Sequence, residues 1–133
     1  MPWQTGYENC SAAGGGLAIP DSLDEHRFIW EMFTSWGGGQ GSLWIGCSGT
    51  EDEGRWMQAG GSGRECTYFN WAEERPRNGS RVGVCTAMKN GEDGLWNDLA
   101  CSKRRHVICE KPSAPTPKMF CLQADANGRF TAE

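Results

Sequence analysis

The feature that most constrains this chain is its cysteine content. Seven cysteines occur among 133 residues, at Cys10, Cys47, Cys66, Cys85, Cys101, Cys109 and Cys121. Such a density in a short chain is typical of proteins that fold in an oxidising compartment, where disulfides persist. No two cysteines have the close spacing of a structural zinc site, and His26 and His106 lie far apart in the sequence. The sequence therefore predicts a disulfide-stapled extracellular domain, either secreted or part of a membrane protein's ectodomain.

Length and charge exclude several classes of partner. The 133 residues suffice for one domain and a short extension, and a net charge of −4 gives no overall field that would attract nucleic acid. No apolar run reaches the roughly 18 residues of a membrane span. The opening residues Met1-Pro2-Trp3-Gln4 also lack the basic start and apolar core of a signal peptide. We expect no nucleic-acid partner and no membrane insertion, and interpret the sequence as a fragment of a longer extracellular protein.

Apolar periodicity predicts two helices and several short strands. Trp3, Tyr7 and Cys10 recur at helical spacing within residues 3–12. Ser22 and Glu25 form a capping box ahead of an amphipathic helix over residues 23–35. Strands are predicted at residues 17–19, 42–47, 54–57, 68–71, 84–88, 95–96 and 106–110, with a polar loop over residues 72–82.

The C-terminal part differs in composition. Residues 112–118 hold three prolines and predict a stiff linker. Residues 119–133 are too few to form a domain and are interpreted as the start of a following module. The predicted organisation is thus a domain over residues 1–111, a linker over 112–118 and a stub over 119–133.

Several short motifs, in order along residues 3–111, resemble the C-type lectin-like domain family. They are Trp3 with Cys10, Leu17-Ala18-Ile19 with Ser22 to Ile29, Leu43-Trp44-Ile45-Gly46, Glu53-Gly54-Arg55-Trp56, Phe69-Asn70-Trp71, Trp96-Asn97-Asp98 and Ile108-Cys109-Glu110. The resemblance implies an α+β fold in which two helices flank small antiparallel sheets below a long loop region. The family's strand upstream of the first helix has no counterpart here, so the resemblance also implies an N-terminally truncated domain.

The resemblance implies two disulfides, Cys10–Cys109 and Cys85–Cys101. In the chain-entropy model, a loop as large as the first is worth about 4.7 kcal/mol and the shorter one about 3 kcal/mol. Cys47 and Cys66 remain on either side of the Glu53-Gly54-Arg55-Trp56 motif, and we predict that they pair. Cys121 is then left over and is expected to pair outside this fragment.

The resemblance also implies where calcium and sugar bind, and there the sequence departs from the family. Sugar-binding members hold calcium with a loop reading Glu-Pro-Asn or Gln-Pro-Asp, a later glutamate, and the Asn-Asp that follows the tryptophan. Aligned on Pro76, this chain has Arg75 and Arg77 in the loop and Gly83 in place of the glutamate. Calcium takes roughly six to eight oxygen ligands, and two guanidinium groups supply none. We therefore expect no cofactor, with Asn97, Asp98 and Glu53 as vestigial calcium ligands.

A one-residue shift in the alignment of this loop leaves a calcium site as an alternative. A slip by one residue would bring Asn78 near the calcium position, and Glu73 or Glu74 could then move in. The resemblance further implies that the peptide bond before Pro76 can be cis.

In place of calcium, we predict that Arg75 or Arg77 forms an ion pair with Asp98. Basic residues also concentrate in two stretches, one with Arg75, Arg77 and Arg81 and the other over residues 103–106. A local basic patch of this kind would suit a sulfated glycan or an acidic protein. The predicted ligand-binding residues are Arg75, Arg77, Asn78, Trp96, Asn97 and Asp98.

These observations predict an extracellular recognition module that binds carbohydrate or protein without the usual calcium–sugar site. Two alternatives remain: a calcium-dependent lectin with an atypical site, and a structural spacer in a mosaic extracellular protein. The sequence contains no serine-hydrolase, zinc-protease or phosphate-loop motif and predicts no catalytic residue, so we expect no enzymatic activity.

Overall fold

The computed structural model describes residues 1–35, 41–50, 55–59, 63–77, 80–89 and 93–111, and the backbone of residues 118–124 and 130–132. Its elements, in chain order, are α1 (Trp3–Ala12), β1 (Gly16–Leu17), α2 (Leu23–Phe33), β2 (Leu43–Gly49), β3 (Trp56–Gln58), β4 (Val84–Met88), β5 (Trp96–Ala100), β6 (His106–Lys111), β7 (Lys118–Ala124) and β8 (Phe130–Ala132). The predicted α+β class with two helices is confirmed.

Helix α2 begins where the sequence predicts. The Ser22 hydroxyl accepts a hydrogen bond from the Glu25 amide at 3.1 Å, which satisfies one of the free amides of the first turn. The helix buries His26, Ile29 and Phe33 on its inner face and ends at Phe33, two residues before the predicted boundary at 35.

The sheet is mixed, because β2 pairs parallel with β6 and antiparallel with β4. The strand order is β5-β4-β2-β6-β7-β8, with β1 on β6 and β3 on β2. Most predicted strands differ from the structure by one to two residues at an end, and two differ more. The strand predicted at residues 95–96 runs on to Ala100, because β5 pairs with β4 along its whole length. The strand predicted at residues 68–71 is reduced to an isolated bridge between Trp71 and Trp96.

The core lies on both faces of β2. Residues Leu43 to Cys47 are all buried, as expected of a central strand. The indole N–H of Trp3 donates to the Ile45 carbonyl at 2.9 Å, which ties α1 to this strand.

All three predicted disulfides form: Cys10–Cys109, Cys47–Cys66 and Cys85–Cys101. The first joins α1 to β6, the second joins β2 to the segment after β3, and the third joins β4 to the end of β5.

The segment after the predicted linker continues the sheet. Backbone pairing places β7 antiparallel on β6, with Ile108 opposite Cys121 and Lys111 opposite Lys118. Strand β8 pairs with β7 in turn. The predicted division into a domain, a linker and a following module, and the partner of Cys121, stay predictions. Among the described residues, no helix has the length and apolarity needed to cross a membrane.

Candidate functional site

The predicted site is built on β5, which carries Asn97 and Asp98. In the antiparallel ladder with β4, Asn97 lies opposite Ala87 and Asp98 opposite Thr86. The Asn97 residue is 8% exposed and Asp98 is 1% exposed. A carboxylate this deeply buried is costly unless a positive charge or several hydrogen bonds compensate it.

Backbone hydrogen bonds attach the loop that contains Arg75 to β5. The Trp96 amide donates to the Asn70 carbonyl at 2.8 Å, and the Ala72 amide donates to the Trp96 carbonyl at 2.9 Å. The Arg75 amide then bonds the Ala72 carbonyl at 3.1 Å. The peptide bond between Arg75 and Pro76 is cis, as the resemblance allowed. These contacts hold the start of the loop directly beside the carboxylate.

The predicted ion pair with Asp98 is made by Arg75. Its Nη1 lies 3.2 Å from Oδ1 of Asp98 and donates to the Asp98 carbonyl at 3.1 Å. The backbone amide of Arg77 donates to the same Oδ1 at 2.8 Å. The Asp98 side chain is fully buried and that of Arg75 is 20% exposed, so the pair is shielded from solvent. The guanidinium and one amide thus fix the loop to the strand.

Arg77 contributes its backbone to this bond and leaves its side chain exposed. The guanidinium lies 4.0 Å from the Glu74 carboxylate, and both side chains are largely in solvent. A surface pair at this distance contributes little. The Arg77 side chain is therefore available to a ligand.

Trp96 supports the site from beneath and is fully buried. Its ring packs edge-on against Tyr68, Phe69 and Trp71, with centroid distances of 5.8, 6.0 and 5.9 Å. Its indole N–H donates to Nδ1 of His26 at 3.1 Å. The sequence prediction that Trp96 itself contacts a ligand is corrected here, because this ring has no surface to offer.

His26 can accept that bond because it stays neutral. Burial lowers its pKa below the ordinary value, and the charge of Arg27 lowers it further. The neutral ring keeps one nitrogen as an acceptor, and α2 is thereby linked to β5.

The remaining predicted residues fall into two groups. Asn97 lines an open groove together with Arg75 and Arg77. Asn78 and Glu53 lie outside the described residues. Lys89 also lines this groove, and sequence reasoning missed it because it follows β4, away from both basic stretches.

Calcium donors are scarce around Asp98. The described part of the chain contains no cluster of three or more His, Cys, Asp or Glu side chains able to hold a metal ion. The one buried carboxylate on β5 is already bonded to a guanidinium.

Comparison with known proteins places this arrangement in a family. The family model described as the lectin C-type domain matches residues 1–111. A tetranectin-like protein of Carcharhinus perezii is 34% identical over 103 residues, which are 77% of this chain and 60% of that protein. Perlucin of Haliotis laevigata is 35% identical over 107 residues, which are 80% of this chain and 67% of that protein. The chain therefore spans only part of the length of these relatives.

Solved structures show the same fold. The carbohydrate-recognition domain of the mouse scavenger receptor C-type lectin is 26% identical with a TM-score of 0.70, covering 83% of this chain and 82% of that one. A calcium-independent type II antifreeze protein is 29% identical with a TM-score of 0.67, covering 82% of this chain and 77% of that one. Relatives of this kind are mostly secreted proteins or ectodomains, and they generally bind ligands rather than catalyse reactions. The chain belongs to the C-type lectin domain family and is a binding and recognition module.

Proposed function

We propose that this extracellular module binds an anionic glycan, without calcium and without catalysis, on the face formed by β5 and the loop before β4. One observation carries the proposal: the buried carboxylate that would hold calcium is already engaged by Arg75 at 3.2 Å and by the Arg77 amide at 2.8 Å.

The chemistry around Asp98 argues against calcium. A calcium ion would need to displace the Arg75 guanidinium, and it would then lie beside that positive charge. It would also need roughly six to eight oxygen ligands, and among the described residues no three or more His, Cys, Asp or Glu side chains cluster where they could hold a metal ion. Repulsion and missing ligation act in the same direction. The similarity to a calcium-independent type II antifreeze protein supports this part of the proposal.

The surroundings favour an anionic ligand. The groove beside the ion pair is lined by Arg75, Arg77, Lys89, Lys103 and Arg105, whereas its one acidic side chain is Asp98. Among the described residues of this groove, the exposed charges are all positive. A sulfated or otherwise acidic sugar would gain charge-assisted hydrogen bonds there. The three disulfides support an extracellular location for such a ligand.

A calcium titration by calorimetry on the oxidised protein tests the metal part of the proposal. We expect no binding heat up to several millimolar calcium and no calcium-dependent rise in the unfolding temperature. The double variant R75E/R77N restores the Glu-Pro-Asn loop of sugar-binding members and provides the positive comparison. It should gain calcium stabilisation, because carboxylate and amide oxygens replace the two arginines.

A matched control makes the same change in charge elsewhere. The variant R27E/K111N alters two exposed positions that do not line the groove and should not gain calcium stabilisation. Calcium binding by the wild-type chain that Asp98→Ala abolishes would contradict the proposal and favour a calcium-dependent lectin with an atypical site.

The ligand is tested on an array of neutral and sulfated glycans, with calcium and with a chelator. We expect binding to sulfated glycans that the chelator leaves unchanged and that Arg77→Ala weakens. Binding only to neutral glycans, or only with calcium, would refute the proposed ligand class.

A further inference from the structure

The basic groove extends beyond the predicted site to the turn between β5 and β6. Its volume is about 500 Å³, and its floor includes β5 residues Asn97 to Ala100. Arg75 and Arg77 line it from the loop, whereas Lys103 and Arg105 line it from the turn. Four consecutive strand residues span about 10 Å at the usual rise per residue. The two pairs of basic residues are thus supplied by separate segments along one continuous groove.

The far end of the groove carries unbalanced positive charge. Within the described parts of the chain, neither Lys103 nor Arg105 forms an ion pair with an acidic side chain. The Arg105 guanidinium is held in place, because its Nη1 donates to the Arg104 carbonyl at 2.6 Å. Lys103 is exposed and Arg105 is half-buried. Cations that lack a protein partner and lie beside a concave surface attract anions.

A second cavity continues the same surface. Its volume is about 490 Å³, and it shares Ser42 and Arg105 with the basic groove. Arg104 and His106 also line it. Positive side chains therefore continue along the surface from the groove into this second cavity, which Arg75 does not line.

We infer that the β5–β6 turn is a second anion subsite, formed by Lys103 and Arg105, and that the ligand is an extended sulfated glycan that also reaches Arg77. The inference rests on the proposed function and specifies its ligand. A single sulfate cannot contact both ends of the groove, whereas sulfates on successive sugars of one chain can. The groove has no aromatic side chain among its described lining residues, which disfavours nucleic acid, whose bases stack on such rings.

The two subsites predict a dependence on ligand length. A sulfated disaccharide fills either end of the groove, so the loss of one end should weaken its binding only slightly. A sulfated hexasaccharide should bind more tightly, because its second group of sulfates binds without a further loss of translational freedom. Its affinity should also fall more steeply as salt is added.

The experiment measures the affinities of heparin-derived disaccharide, tetrasaccharide and hexasaccharide for the whole chain in the presence of a chelator. The variant K103A/R105Q should weaken hexasaccharide binding by about tenfold, since each exposed charge contributes up to a few-fold. Disaccharide binding should fall less, because a disaccharide can still occupy the Arg77 end. Lys111→Ala removes an exposed lysine that does not line the groove and should change neither affinity. Thermal unfolding of each variant checks that the fold is intact.

The outcomes separate the subsite from the proposed function. Two results would overturn the second subsite alone. One is calcium-independent binding whose affinity does not depend on ligand length. The other is an equal loss of disaccharide and hexasaccharide affinity in K103A/R105Q. No wild-type binding to any sulfated oligosaccharide, or binding that the chelator abolishes, would overturn the proposed function and the subsite together. Binding of an acidic peptide by the wild-type chain, weakened in K103A/R105Q and with no oligosaccharide binding, would assign the groove to a protein ligand and refute the glycan.

Discussion

Replacement of Arg75 by glutamine tests the main feature of the site, the guanidinium that neutralises a buried carboxylate. In the folded protein, Asp98 accepts from Arg75 Nη1 at 3.2 Å and from the Arg77 amide at 2.8 Å. The variant removes the positive charge and leaves the amide. The carboxylate then stays buried with one of these two donors, and the folded state loses free energy relative to the unfolded state, where water solvates Asp98.

The expected loss of unfolding free energy in Arg75→Gln follows from the burial of the ion pair. Removal of one partner from a buried ion pair costs about 3–5 kcal/mol. Arg75 is 20% exposed, so water can partly replace it, and the Arg77 amide still compensates Asp98. We therefore expect the lower end, about 3 kcal/mol of unfolding free energy. For a domain of this size, that corresponds to an unfolding temperature lower by about 10 °C.

Urea denaturation of the oxidised protein measures the loss directly, from the change in midpoint at constant slope. The exposed pair of Arg55 and Glu65 offers a matched control, because their side chains are 50% and 48% exposed. Arg55→Gln should cost less than about 1 kcal/mol. If Arg75→Gln cost no more than Arg55→Gln, the claim that a buried charge depends on Arg75 would be wrong.

A second substitution separates charge from packing. Asp98→Asn added to Arg75→Gln removes the uncompensated charge and keeps an oxygen that can accept from the Arg77 amide. The double variant should recover part of the loss, with a coupling energy of about 1–2 kcal/mol between the two sites. A double variant as unstable as the sum of its parts would show that Arg75 acts through packing.

Three further changes have expected outcomes. Burial, followed by a hydrogen bond with Asp21, raises the pKa of Glu25 to about 8, so stability should fall as pH rises from about 4.5 to about 8, and Glu25→Gln should reduce this fall in pH-dependent urea midpoints to the part contributed by Glu110, whose pKa burial also raises. Burial lowers the pKa of His26, so stability should be lost as pH drops below about 6.5, and in acid unfolding of His26→Gln this loss should shrink to the part contributed by His106, whose pKa burial also lowers. The double variant C47A/C66A opens a loop with a sequence separation of 19 residues and should lower the unfolding free energy by about 3 kcal/mol in a denaturant titration. A change of less than about 1 kcal/mol would contradict that estimate.

Local signals were sufficient for much of the fold. Ser22 and Glu25 place the start of α2 correctly, because a cap is a contact between near neighbours in sequence. The length of β5 was underestimated because its strand conformation depends on contacts between residues that are distant in sequence. Asn97 and Asp98 have low strand propensity, and their strand conformation comes from the ladder with β4.

The charge pairing at the candidate site could be predicted from the sequence, but the full set of residues that line the groove could not. The prediction that Arg75 or Arg77 pairs with Asp98 follows from charge and from the motif alignment, and the ion pair made by Arg75 confirms it. The place of Lys89 depends on how β4 ends beside β5, which no local pattern encodes. The burial of Trp96 depends on the aromatic side chains packed around it, and sequence alone cannot distinguish a tryptophan that stacks on sugar from one that fills a core.

The position of Asp98 links the stability of the module to its proposed specificity. A buried carboxylate such as Asp98 is costly unless hydrogen bonds or a positive charge compensate it, and that charge can come from an ion in solution or from a side chain of the same chain. Arg75 supplies that partner from within the chain, so under the proposed function the folded state is expected to form without an ion whose concentration varies. The arginines that stand in place of the family's calcium ligands are also expected to change what the surface can bind. A bound calcium ion could coordinate neutral hydroxyl groups, whereas Arg77, Lys103 and Arg105 favour groups that carry negative charge. R75E/R77N is therefore expected to lose calcium independence and, because Lys103 and Arg105 remain, to keep only a weakened preference for sulfated ligands, which makes that variant the most informative single comparison with the wild-type chain.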